Sequence, residues 1–127
     1  MTENRLDSFK KSFFHAMRGL KYVTFHEKNF QNELAIAFVV VVSMVCFRVT
    51  RAEMIVLILV IFGVFVMELF NTVVERVVDI LKPRVHPYAR LIKDLMAAGV
   101  LMTSILAVIV GVLIFTPYVL EVLEIII

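Results

Sequence analysis

The sequence predicts an all-α membrane protein in which an N-terminal amphipathic surface helix precedes three transmembrane helices packed as one helical bundle. Composition is the first observation behind this. Of 127 residues 61% are hydrophobic and only 19% charged, and the mean hydropathy is +0.96, far from the balance of a soluble domain. The second is the distribution of that hydrophobicity into three long segments separated by short charged ones. The third is a basic, periodically apolar stretch ahead of them. A chain of this length forms a single domain, 1–127, with no room for a separate catalytic unit, so any chemistry comes from the helices and their flanks.

Residues 1–30 form the surface helix. Leu6, Phe9, Phe13, Met17 and Leu20 recur every three or four positions, with Lys10, Lys11, Arg18 and Lys21 between them. One apolar and one basic face suit the cytoplasmic surface of a membrane, and packing on a partner subunit is the alternative. Six Lys or Arg precede Phe30 and no continuous apolar core is present, so the stretch does not read as a signal peptide.

The spans lie at about 30–48, 53–75 and 95–115. Residues 34–47, broken only by Ser43, and 54–67, uninterrupted, are apolar runs of fourteen residues each. Each makes about 21 Å of helix and needs its polar flanks to cross a hydrocarbon core of about 30 Å. Residues 95–115 make about 31 Å and span unaided. Between the first two runs, residues 48–53 leave room only for a tight turn. Of the thirteen Lys and Arg, six precede the first span and five lie between Arg76 and Lys93, while the turn holds two. The positive-inside rule therefore places the N-terminus and the second loop in the cytoplasm, and the first turn and the C-terminal tail outside. The lone Cys46 falls in an apolar span, reads as a small buried hydrophobe and excludes an intrachain disulfide.

The second apolar run ends in carboxylates, which a plain anchor does not need. At 100° per residue, Glu68, Asn71, Glu75 and Asp79 fall on one helical stripe roughly 80° wide. An ionisable group at membrane depth costs about 2.5–3.5 kcal/mol on insertion scales, so such a stripe reads as a functional site. Glu33 lies fifteen residues before Arg48 and Glu68 fifteen after Glu53, which puts both in one tier about 22 Å from the turn; the deeper count assumes unbroken helix from Glu27 to Arg48. Glu27, Glu75 and Asp94 count to a second tier about 32 Å away, near the cytoplasmic boundary. Hard oxygen ligands such as Glu27 and Glu75 suit Mg²⁺, which takes one or two carboxylates and completes its shell with water and phosphate. Lys93 adds positive charge for a polyphosphate, and Glu68 sits where a lipid headgroup can present a hydroxyl. No Walker motif, glycine-rich phosphate loop or zinc-hydrolase pattern occurs.

Glu68-x-x-Asn71-Thr72-x-x-Glu75-x-x-Val78-Asp79, then Lys82-Pro83-x-x-His86-Pro87-x-Ala89, then Lys93-Asp94-x-x-Ala97-Ala98-x-Val100 resemble the small prokaryotic membrane diacylglycerol kinase and undecaprenol kinase family. Phe14-x-Ala16-x-x-Gly19-Leu20 and Glu27-x-Asn29 fit it as well, so the resemblance runs from about Phe9 to Pro117. It implies a homotrimer of three-span subunits in the plasma (inner) membrane, with active sites at the cytoplasmic interface built from more than one subunit. It implies Glu68 as general base towards the lipid hydroxyl and Glu27 and Glu75 as Mg²⁺ ligands. Lys93, Asp94, Arg84, Val85, His86 and His15 become contacts to ATP, and Glu33, Asn71 and Asp79 polar supports. The diacylglycerol kinase branch often carries a tyrosine near His15 and an acid near Arg84, where this chain departs from it. The loop around His86 and Thr116-Pro117 are closer to the undecaprenol branch. The expected function is ATP- and Mg²⁺-dependent phosphorylation of undecaprenol, with diacylglycerol as the alternative acceptor and no nucleic-acid partner. A small transporter using an intramembrane glutamate is a competing class, and the Glu27, Lys93 and Asp94 tier argues against it.

Overall fold

In the computed structural model, which describes residues 4–81 and 87–127, the chain is all helical. Four helices follow in order: α1 (Arg5–His26), α2 (Lys28–Cys46), α3 (Arg51–Leu81) and α4 (Pro87–Ile126). The last three are long and apolar enough to cross a membrane. At 1.5 Å per residue they measure about 28, 46 and 60 Å, so α3 and α4 extend well past the expected spans.

Glu27 divides α1 from α2. Its backbone is extended, at φ −107° and ψ 111°; its N–H still closes the last turn of α1 on the Val23 carbonyl, and its own carbonyl accepts from Gln31 N–H at 3.1 Å. The expectation of unbroken helix from Glu27 onward is therefore corrected: the break falls on Glu27 itself. No proline or glycine announces it, because tertiary contacts make it. Phe30 is buried at 2% exposure with its ring 5.4 Å from Phe65 of α3, Gln31 reaches back to the Thr24 carbonyl, and Arg76 holds the Glu27 side chain. On α1, Leu6, Phe9, Phe13, Met17 and Leu20 are all exposed and only Val23 is buried, so its apolar stripe faces away from this chain.

The α2–α3 turn is tighter than its sequence suggests. Arg48 adopts φ 50°, and the Arg48 and Val49 N–H groups close back on the Val45 and Met44 carbonyls at 3.3 and 3.2 Å. This is a Schellman closure with arginine where glycine is usual, and Val49 packs on Met44 and Leu57 as its hydrophobic contact. Helix α3 then opens with a capping box. The Thr50 N–H and hydroxyl both donate to Glu53 Oε2 at 2.8 Å, while Glu53 N–H donates to Thr50 Oγ1 at 3.3 Å.

Helices α3 and α4 make the main packing interface. On α4 the half-buried positions Gly99, Val100, Thr103, Ala107, Val110, Gly111, Ile114 and Tyr118 keep helical spacing and form one stripe. Gly99 lets the helices approach there, since a Cβ on it would stand 2.8 Å from the Met67 side chain. In the apolar surroundings the hydroxyls of Ser43, Thr103 and Thr116 return to backbone carbonyls one turn back, which leaves them satisfied. The turn and the far part of α4 meet at one end, where Phe47 lies 5.9 Å from Phe115 and 6.0 Å from Tyr118. The opposite end gathers Glu27, Arg76, Asp79 and Lys93.

Candidate active site

Helix α3 carries the centre of the site. A period of 3.6 places Glu68, Asn71, Thr72 and Glu75 on its inner face, and the first three are buried at 2, 6 and 7% exposure. Helix α2 covers them from the other side, with the Asn29 side chain near the Glu68 carboxylate. Glu33 lies within electrostatic reach of Glu68. Glu27 and Glu75 also lie within reach of Glu68, and Asn71 donates to Glu75 Oε1 at 3.4 Å. Four carboxylates and two amides from α2, α3 and the break between α1 and α2 thus make one cluster.

The cluster is rich in acceptors and poor in donors. Glu68 Oε2, Glu33 Oε2 and Asn71 Oδ1 are buried without a hydrogen-bond partner. A buried acceptor left unpaired costs about 1–3 kcal/mol, more when charged, and here the missing complement is the same for all three: a hydroxyl donor or a cation. Among the described residues no group of three or more His, Cys, Asp or Glu converges closely enough to hold a metal ion by itself. One or two carboxylates suffice for Mg²⁺ bound with a nucleotide, and Glu27 and Glu75 fit that donor set. Beside the cluster an apolar cavity of about 280 Å³ opens between α2, α3 and α4, with Glu33 in its wall and Val40, Leu57, Val64, Ala107 and Gly111 among the rest.

Other expected site residues fall elsewhere. Lys93 donates to Asp79 Oδ1 at 2.5 Å, so the lysine and the carboxylate on the α3 stripe meet each other across the α3–α4 connection. Asp94 is exposed beside Lys93 on α4. On α1, the Nδ1 of His15 is bonded by Arg18 at 2.9 Å, one turn away on the same helix. Arg84, Val85 and His86 lie outside the described residues.

Two participants were not singled out from the sequence. Asn29 was noted only for its spacing from Glu27, and its side chain lies near Glu68. Arg76 was counted among basic residues, yet its Nη2 donates to Glu27 Oε1 at 2.5 Å. A signal existed for Arg76, since it follows Glu75 directly and stands at the depth counted for Glu27.

Long apolar helices that carry a buried acidic cluster towards one end define a polytopic helical membrane protein with a polar site. Over residues 14–115 the sequence matches the family described as Prokaryotic diacylglycerol kinase. It is also 37% identical over 114 residues to the undecaprenol kinase of Bacillus subtilis (strain 168), covering 90% of this chain and 93% of that protein. The chain belongs to the prokaryotic diacylglycerol kinase family and is a membrane lipid kinase.

Proposed function

We propose that the protein phosphorylates undecaprenol with ATP and Mg²⁺ at the cytoplasmic face of the membrane, working as a homotrimer, with its C-terminus outside. The observation that carries this is Glu68: an almost fully buried carboxylate whose Oε2 is unpartnered, with Asn29, Glu27 and Glu75 near it. In this reading the unpartnered oxygen accepts the proton of the lipid hydroxyl while the hydroxyl oxygen attacks the γ-phosphorus, and ADP departs. Such a positioned base contributes about 10²–10⁴-fold to rate. Glu27 and Glu75 hold Mg²⁺, which neutralises charge on the transferring phosphoryl group. Asn71 orients Glu75, and Glu33 is a polar support in the wall of the apolar cavity beside the base. The Lys93–Asp79 pair, with Asp94, His15 and residues 84–86, borders the nucleotide. For the acceptor, the identity to an undecaprenol kinase along most of both chains favours undecaprenol, and the family description favours diacylglycerol as the second reading.

The test is transfer of label from γ-labelled ATP, with Mg²⁺, by purified protein in detergent, to undecaprenol and to diacylglycerol offered separately and in competition. Preferential labelling of undecaprenol is expected, and its loss in Glu68→Gln. Preference for diacylglycerol replaces the acceptor, whereas labelling of neither removes the reading.

A further inference from the structure

Among the described residues, Arg76 is a cation that bonds a carboxylate of the acidic cluster. Glu27, Glu33, Glu68 and Glu75 bring four carboxylates together, and Lys93, which might have balanced them, is engaged with Asp79. The Arg76 guanidinium bonds Glu27 through one nitrogen, while its side chain remains 55% exposed and that of Glu27 only 20%. Tyr22 and Asp79 are its other near polar neighbours. As a tether this pair is poor: an ion pair so open to solvent contributes about 0–1 kcal/mol. Its geometry suits another task. A guanidinium carries five N–H donors in a rigid fork matched to phosphate, and this one, bonded to Glu27 through Nη2 on a side chain 55% exposed, stands at the end of the bundle where Asp79 and Lys93 pair.

We propose that Arg76 is a polyphosphate contact of the kinase site, a guanidinium that shares the Glu27 carboxylate with the divalent cation and turns its remaining N–H groups to the nucleotide. The proposal rests on the kinase reading above and adds to it a residue outside the expected set. A metal drawn to Glu27 meets the charge of Arg76, which opposes a bare cation. The phosphates of a metal-nucleotide reverse that sign, because they give the guanidinium an anion to bond. Arg76 therefore disfavours the metal alone and favours the metal-nucleotide, which couples the two ligands in binding.

The experiment measures two affinities on the full-length protein in detergent: Mn²⁺ alone by electron paramagnetic resonance, and the Mg²⁺ complex of a non-hydrolysable ATP analogue by equilibrium binding. Arg76→Gln is expected to tighten Mn²⁺ roughly threefold or more and to weaken the analogue about tenfold to a hundredfold, the worth of a charge-assisted hydrogen bond. Arg76→Lys keeps the charge and loses the fork, so it leaves Mn²⁺ within about twofold and weakens the analogue by about threefold to tenfold. Parallel weakening of both ligands in Arg76→Gln makes Arg76 a tether and overturns the proposal, as does unchanged analogue binding. If Arg76→Gln fails to fold, Arg76→Lys decides alone: analogue affinity equal to wild type overturns the proposal, and the split between the two ligands supports it. Glu27→Gln separates this failure from that of the underlying reading. Unchanged Mn²⁺ affinity there removes Glu27 as a metal ligand, while the analogue measurement still reports on Arg76.

Discussion

The Tyr118 hydroxyl donates to Glu53 Oε2 at 2.6 Å, joining residues 65 positions apart. The same oxygen accepts from the N–H and hydroxyl of Thr50, so the cap that starts α3 is also the anchor for α4. Tyr118→Phe should lower stability by about 0.5–1.5 kcal/mol, the usual net value of one hydrogen bond. Thermal unfolding in detergent of Tyr118→Phe, Thr50→Ala and the pair reads the coupling. Because both changes act through one carboxylate, the double variant should lose less than the two losses added. Strict additivity would mean that cap and anchor are independent.

Arg48 sits in the left-handed region at φ 50°, where an L side chain costs about 1–2 kcal/mol and glycine does not. Arg48→Gly is expected to raise the unfolding midpoint. A lower midpoint would show that the arginine side chain makes up the backbone cost through contacts of its own.

For Glu27 and Glu75, alanine at either position should weaken binding of the metal-nucleotide, and the double variant should fall well short of the combined losses if both grip one ion. Independent losses would assign them separate roles. Glu75 has Asn71 as a donor at 3.4 Å, so Asn71→Ala is expected to reproduce part of the Glu75→Ala effect.

Topology is open to labelling. With Cys46 replaced, a cysteine at Arg90 should react with an impermeant thiol reagent only in inverted vesicles, and one at Glu121 only in right-side-out vesicles. In the structure the turn at residues 47–50 and Tyr118 share one end, so cysteines at Thr50 and Glu121 should always label from the same side. Opposite labelling of that pair would contradict the packing of α4 on the turn.

Much of this was legible in the sequence because membrane burial writes a coarse signal. Hydropathy located three long apolar helices, though not their ends, and the 3.6 period put Glu68, Asn71 and Glu75 on one face, where they are found. Counting residues from the turn gives Glu33 and Glu68 the same depth, and the two lie within electrostatic reach of each other. What the sequence did not carry were choices made by tertiary contact. The break at Glu27 has no local breaker; it accompanies the burial of Phe30 against Phe65 of α3, a contact made only in the folded bundle. Asp79 had Arg76 and Lys82 as its nearest basic residues along the chain, yet it pairs with Lys93, which only the packing of α4 on α3 brings within reach. The Thr50-x-x-Glu53 spacing carries the capping box in the sequence itself, inside what hydropathy marks only as a charged turn.

Helices of about 28 and 60 Å lie in one bundle, and that inequality has a consequence for the surrounding lipid. Helix α4 exceeds any ordinary bilayer, but Tyr118 at one end and Lys93 at the other hold it alongside α3, so it cannot absorb the excess by leaning freely. Helix α2 has no such surplus: it is bounded by the Schellman turn on one side and the Glu27 break on the other, and its length nearly equals a hydrocarbon thickness of about 30 Å. The shortest helix therefore sets the hydrophobic match. In a thicker membrane the lipid must thin around α2, or α2 must draw its polar first turn inward, and that turn carries Asn29, whose side chain lies near Glu68.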